Sequence, residues 1–93
     1  METKQDLMDA ISYHLKIPCF QCSTGSSEPK AFLEAVAEQM GITQLTVGLD
    51  KIDLAKLIVE SGGKQWLPAF DSAGGTITKD GMLAIQEIVF ELI

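Results

Sequence analysis

Hydrophobic residues recur at helical spacing in four separate stretches of the chain. In the first stretch, residues 3–16, they return every third or fourth position and so fall on one face of a helix. Thr3, with Asp6 three residues later, forms a capping box that predicts where this helix begins, and Pro18 marks its end. The residues of this face are Leu7, Ala10, Ile11, His14 and Leu15.

A second helix is predicted from Ser26 or Ser27 to a left-handed C-cap at Gly41. Glu28 and Pro29 suit its first turn, because a carboxylate favours the positive end of the helix dipole and proline has no N–H to leave unpaired. Its apolar stripe consists of Phe32, Leu33, Val36 and Met40.

The third and fourth helices follow a short β-branched stretch, residues 45–47, which predicts an extended connector. Asp50 is the expected N-cap of the third helix, with Asp53 three positions later, so we interpret this pair as caps rather than as catalytic carboxylates. Glycines 62–63 end that helix. The fourth begins near Thr76 or Thr78, and its apolar face consists of Met82, Ile85, Val89 and Leu92.

The chain nearly repeats itself at an offset of fifty, which pairs Pro18 with Pro68 and Phe20 with Phe70. Each half is a helix, a loop anchored by its phenylalanine, and a second helix. We therefore predict a mainly α fold for residues 1–93, a single domain of four helices with at most short extended connectors. Its two helix–loop–helix halves, about 3–41 and 50–93, would pack about a pseudo-two-fold axis, with Trp66 covering one end of the core.

The composition of the chain indicates which classes of binding partner to expect. The net charge is −6, and all seven basic residues are lysines. This balance opposes nucleic acid, because phosphate neutralisation supplies most non-specific affinity. The chain has no signal-peptide pattern and no apolar run that could span a bilayer, so we expect a cytoplasmic protein without membrane contact. The apolar pattern runs to the last residue, which fits either an N-terminal fragment of a longer protein or a last helix that docks by its C-terminus.

Candidate chemistry is sparse. Cys19 and Cys22 form a C-x-x-C that follows a helix and a proline, whereas a thioredoxin-like motif follows a strand. Together with His14 they offer three weak candidate zinc ligands, one short of a structural site, and small loop residues are the simpler interpretation. Because no triad, phosphate loop or dinucleotide motif is present, we predict no catalytic residue and no cofactor.

Two turns, residues 23–30 and 72–79, combine glycine, hydroxyls and a lysine at a predicted helix N-terminus. Free backbone N–H groups and the helix dipole attract phosphate or carboxylate there, although hydroxyl capping explains the same residues. The candidates for binding an anion or the DNA backbone are Ser26, Ser27, Lys30, Lys64, Thr76, Thr78 and Lys79.

Residues 24–33, 54–60, 71–72 and 74–78, with Trp66, resemble small helical N-terminal domains that precede nuclease domains in some bacterial restriction endonucleases. The resemblance implies a non-catalytic accessory domain that helps position an endonuclease on DNA or assemble its subunits, with the cleaving residues elsewhere. The alternative is a protein-interaction or dimerisation module without nucleic-acid contact. The acidic charge and the apolar fourth helix favour that alternative.

Overall fold

The computed structural model describes residues 3–22, 27–42, 48–72 and 75–91 and contains four α-helices there. The mainly α prediction is confirmed, and no strand occurs among the described residues; the predicted connector at 45–47 lies outside them. The helices are α1 (Lys4–Leu15), α2 (Lys30–Gln39), α3 (Lys51–Ser61) and α4 (Lys79–Glu91), with a 3₁₀ turn at Pro68–Phe70.

Local capping sets the ends of the helices. The Thr3 hydroxyl accepts from the Asp6 N–H at 3.2 Å, and the Asp6 carboxylate accepts from the Thr3 N–H at 2.9 Å, which confirms the capping box. Asp50 caps α3 by accepting from the Asp53 N–H at 2.8 Å, as predicted. Beyond α2, Gly41 has a φ of 76°, the left-handed conformation that glycine adopts without strain.

The predicted start of α2 at Ser26 or Ser27 is wrong. The helix begins at Lys30, and Pro29 is its N-cap with extended backbone. Proline disfavours helical geometry in the residue that precedes it, and Glu28 accordingly lies before the helix. Glu28 is buried, with only 1% of its surface exposed.

The core lies between two helix pairs, since α1 packs mainly against α4 and α2 mainly against α3. A two-fold exchange of the halves would map one pair onto the other, so these contacts agree with the predicted symmetry, which itself stays a prediction. Fully buried side chains from all four helices fill this core: Leu7, Met8, Ile11, Phe32, Leu33, Val36, Leu54, Ile58, Met82, Ile85 and Val89.

The two loop phenylalanines, Phe20 and Phe70, each pack against another aromatic ring, as expected if they hold their loops to the rest of the fold. The Phe20 ring lies 6.1 Å from that of Phe32, centroid to centroid, and the Phe70 ring lies 5.3 Å from that of Trp66. Trp66 and Phe20 are partly buried against the core, which agrees with the predicted role of Trp66. In the part of the chain described, no helix has both the length and the apolarity to cross a bilayer.

Candidate functional site

The turn before α4 surrounds the carboxylate of Glu28. Thr76 donates its hydroxyl proton to this carboxylate, and the Ile77 N–H donates to Oε1 at 2.9 Å. Lys4, at the start of α1, places Nζ 2.8 Å from Oε2. The Lys51 ammonium group, at the start of α3, donates to the Glu28 backbone carbonyl at 3.1 Å. These five residues, here called the Glu28 cluster, join the starts of α1 and α3 to the turns before α2 and α4.

The Glu28 carboxylate is ionised at neutral pH although it is buried. Burial by itself would raise its pKa, because a low-dielectric surrounding disfavours the charged form. Hydrogen bonds from Lys4, Thr76 and the Ile77 N–H outweigh burial and hold the pKa below its usual value. The cluster is therefore a charged, hydrogen-bonded contact among segments that are distant in sequence.

This internal carboxylate changes the interpretation of the predicted anion site. Thr76 and the Ile77 N–H of the second turn donate to an anion that is a side chain of the same protein, Glu28. The Thr76 hydroxyl donates to Glu28, while the Thr78 hydroxyl accepts from the Gly81 N–H at 3.3 Å and donates to the Ala69 carbonyl at 2.7 Å. Both threonine hydroxyls are thus engaged within the fold.

The other predicted anion-binding residues have different surroundings. Lys64 Nζ lies 3.4 Å from Glu87 Oε2 on α4, so its charge is compensated. Lys30 and Lys79 are the first residues of α2 and α4. Ser27 is half-buried, and Ser26 lies outside the described residues. Contact of these residues with a DNA backbone stays a prediction.

Sequence reasoning missed Glu28 because it assigned the residue to a helix. One signal was available. At an offset of fifty, Glu28 occupies the position of Thr78 in the other half, so of the two turns, residues 23–30 and 72–79, only the first contains a carboxylate. A carboxylate in one turn and hydroxyls in the other are complementary hydrogen-bonding groups.

We expect the Glu28 cluster to make the fold acid-sensitive. A carboxylate whose folded-state pKa is depressed stabilises the fold above its unfolded-state pKa, and that contribution disappears as pH falls through the folded-state value. The free energy of unfolding should therefore fall as pH drops below about 4.5, the ordinary glutamate pKa. Urea unfolding at pH 7 and at pH 3 measures the loss.

The Glu28→Gln variant should show a smaller decrease than the wild type between these pH values, because its side chain does not titrate. Glu87→Gln is the matched control, since the Glu87 side chain is 67% exposed, and it should keep the wild-type pH dependence. Equal decreases in the wild type and Glu28→Gln would show that Glu28 does not control the acid sensitivity.

The three weak metal candidates do not come together as one site in the described part of the chain. Cys19 is exposed, and Cys22 is half-buried with Sγ 3.3 Å from the Met8 sulfur. Burial raises the Cys22 pKa, which favours the protonated thiol over the thiolate that zinc or redox chemistry requires. Across the described ranges, no group of three or more His, Cys, Asp or Glu side chains is placed to hold a metal ion.

An exposed aromatic surface lies where the C-terminal turn of α1 meets the end of α4. Tyr13 is 87% exposed and Phe90 is 48% exposed. The His14 ring lies beside Phe90, with the ring centroids 5.0 Å apart. Cys19 is exposed and lines the same groove as these three residues. We call Tyr13, His14, Cys19 and Phe90 the Tyr13 face.

Two open grooves flank Tyr13. The first is predominantly apolar and is lined by Asp9, Ala10, Tyr13, His14, Cys19, Gln21 and Phe90. The second is lined by Ser12, Tyr13, His14, Lys16, Ile17 and Cys19. The Ser12 hydroxyl is fully buried and lacks a hydrogen-bond partner among the described residues. Such a group has lost its contact with water without replacing it, which costs free energy.

A third open cleft lies beside the N-terminus of α3. Its lining includes Asp50, Trp66 and Asp71. The Asp50 carboxylate already caps α3, so it serves the helix. One of the acidic groups in this cleft is therefore already used by the fold.

Comparisons with known proteins identify no relative of this chain. No known protein family matches the sequence, and no characterised protein or solved structure is detectably similar to the chain. The functional argument therefore depends on the surface itself.

Proposed function

We propose that this domain is a non-catalytic assembly module that binds a protein partner through the Tyr13 face. The observation that carries the proposal is the 87% exposure of Tyr13 beside Phe90 and two open grooves. Aromatic side chains are enriched at the centres of protein interfaces, where they bury a large area at a low cost in conformational entropy. A partner would cover this apolar surface.

Charge favours a protein partner over nucleic acid. The chain carries a net charge of −6 and no arginine. Glu28 fills the turn that could have received a phosphate, and Glu87 compensates Lys64. Of the two roles that the resemblance to endonuclease N-terminal domains implies, we therefore propose subunit assembly rather than direct positioning on DNA.

The Tyr13→Asp variant tests this proposal. A carboxylate in an apolar interface must lose its hydration, so the variant should release the partner. In extracts of the cells that naturally produce the protein, the tagged wild-type chain should elute from a sizing column in a complex. Tyr13→Asp should elute later, at the size of the chain alone.

Leu67→Asp is the matched control, because Leu67 is 45% exposed and lies outside the Tyr13 face. It should elute with the wild-type complex. Circular dichroism should confirm that both variants keep their helices. Identical elution of Tyr13→Asp and the wild type would rule out this face as the assembly surface.

DNA contact can be measured separately by fluorescence anisotropy of a labelled duplex at low salt. Direct contact predicts salt-sensitive binding that weakens when Lys30, Lys64 and Lys79 become alanine. Our proposal predicts no such binding by the domain.

A further inference from the structure

We infer that the partner on the Tyr13 face is a second copy of this chain, with the two α1 helices packed antiparallel about a two-fold axis. The inference rests on the proposed function and names its partner. It follows from the charges that line the two grooves, from the spacing of these charges along α1 and from the exposure of Tyr13 between them.

The face is locally balanced in charge within an acidic protein. Among the described residues that line the grooves, Asp9 is the only carboxylate and Lys16 is the only ammonium group. The whole chain has thirteen acidic residues against seven basic ones. Repulsion between distant charges of two copies is screened beyond about 8 Å at physiological salt. Two copies can therefore approach through this face at little electrostatic cost.

The spacing of these charges is self-complementary. Asp9 and Lys16 are seven positions apart, close to two helical turns, or about 10 Å along the axis. Their midpoint lies between Ser12 and Tyr13. A two-fold axis through that point would place Asp9 of each copy opposite Lys16 of the other, which forms two equivalent ion pairs. A two-fold interface requires this kind of self-matching surface.

The second groove fits the same arrangement. Tyr13 lies next to the midpoint between the two charges and also lines the second groove. In the antiparallel arrangement, each Tyr13 therefore lies near the two-fold axis and can cover the groove of the other copy. The Tyr13 side chain is 87% exposed in the single chain, so the contact would remove a large apolar surface from water.

Sedimentation of the purified chain over a concentration series tests the inference. The wild type should show a reversible monomer–dimer equilibrium that Tyr13→Asp abolishes. Asp9→Lys and Lys16→Asp should each weaken the dimer about tenfold, because two exposed ion pairs become two repulsions. An equimolar mixture of these two variants should recover near-wild-type association, since opposite charges then meet at both contacts.

The controls carry the same charge changes away from the face. Glu60→Lys and Lys56→Asp alter exposed residues of α3 and should leave the dimer unchanged, alone and mixed. They separate a local contact from an effect of net charge.

The outcomes distinguish the inference from the proposed function. A chain that stays monomeric when pure, yet shows a Tyr13-dependent complex in extracts, overturns self-association and supports a different protein partner. A dimer that Tyr13→Asp abolishes but the charge variants leave unchanged overturns the antiparallel arrangement and leaves the face as the interface. A dimer that Tyr13→Asp does not affect overturns the inference, and if the complex in extracts is also unaffected, the proposed function is contradicted as well.

Discussion

Replacing Glu28 by alanine should lower the free energy of unfolding by about 3–5 kcal/mol, as expected when one partner of a buried ion pair is removed. The Lys4 ammonium group, whose side chain is only 9% exposed, would lose its carboxylate. The Ile77 N–H would lose its acceptor. The turn before α4 would also detach from the segment before α2, so the loss affects the packing of both halves.

Thermal unfolding followed by circular dichroism measures this loss. For a domain of this size, the expected decrease in Tm is roughly 15–30 °C. Glu87→Ala is the matched control, because Glu87 also pairs with a lysine but its side chain is 67% exposed; it should cost no more than about 1 kcal/mol. A cost for Glu28→Ala as small as that of Glu87→Ala would refute a structural role for the cluster.

The double variant Lys4→Met/Glu28→Gln keeps this prediction testable if Glu28→Ala does not fold. It removes both charges while preserving most of the side-chain volume. Replacing both partners of a buried ion pair is far less damaging than removing one, since no unpaired charge remains. The double variant should therefore be more stable than Glu28→Ala.

Replacing Gly62 by alanine should destabilise the domain by about 1–3 kcal/mol, the usual cost of adding a methyl group to a packed core. The backbone is not the cause, because Gly62 has a φ of −82°, which any residue adopts. The cause is Ile88 of α4. A Cβ at position 62 would lie 2.5–2.8 Å from three side-chain carbons of Ile88. Ile88 is only 2% exposed, so it has little room to move.

Urea unfolding of a double-mutant cycle isolates this clash. Gly62→Ala combined with Ile88→Ala should cost less than the sum of the two single changes, by about 1 kcal/mol, because the shortened side chain makes room for the methyl group. Gly63→Ala is the control. Its φ of 85° imposes backbone strain, but nothing lies within 4 Å of its added Cβ, so its cost should be additive with Ile88→Ala. Additive costs for Gly62→Ala would argue against the clash.

The helices could be predicted from the sequence because their signals are local. The caps at Thr3 and Asp50 each depend on a residue three positions away. The apolar stripes follow the helical period, which is a property of the backbone alone. The exception is the start of α2, where Pro29 and the distant partners of Glu28 outweigh the preference of a carboxylate for a helix N-terminus.

The candidate sites depend on tertiary structure. Glu28 forms hydrogen bonds with Lys4, Thr76 and Ile77, which are 24, 48 and 49 residues away in sequence. No short sequence motif could therefore predict the cluster. Likewise, the sequence shows that Tyr13 lies off the apolar stripe of the first helix, but only the packing of α4 against α1 places Phe90 beside His14. The sequence by itself determined the helices and the chemistry available in the turns, because both follow from neighbouring residues. The tertiary structure alone decided which anion the turn holds and which aromatic side chains share a surface, because such contacts form only when distant segments are brought together by the core.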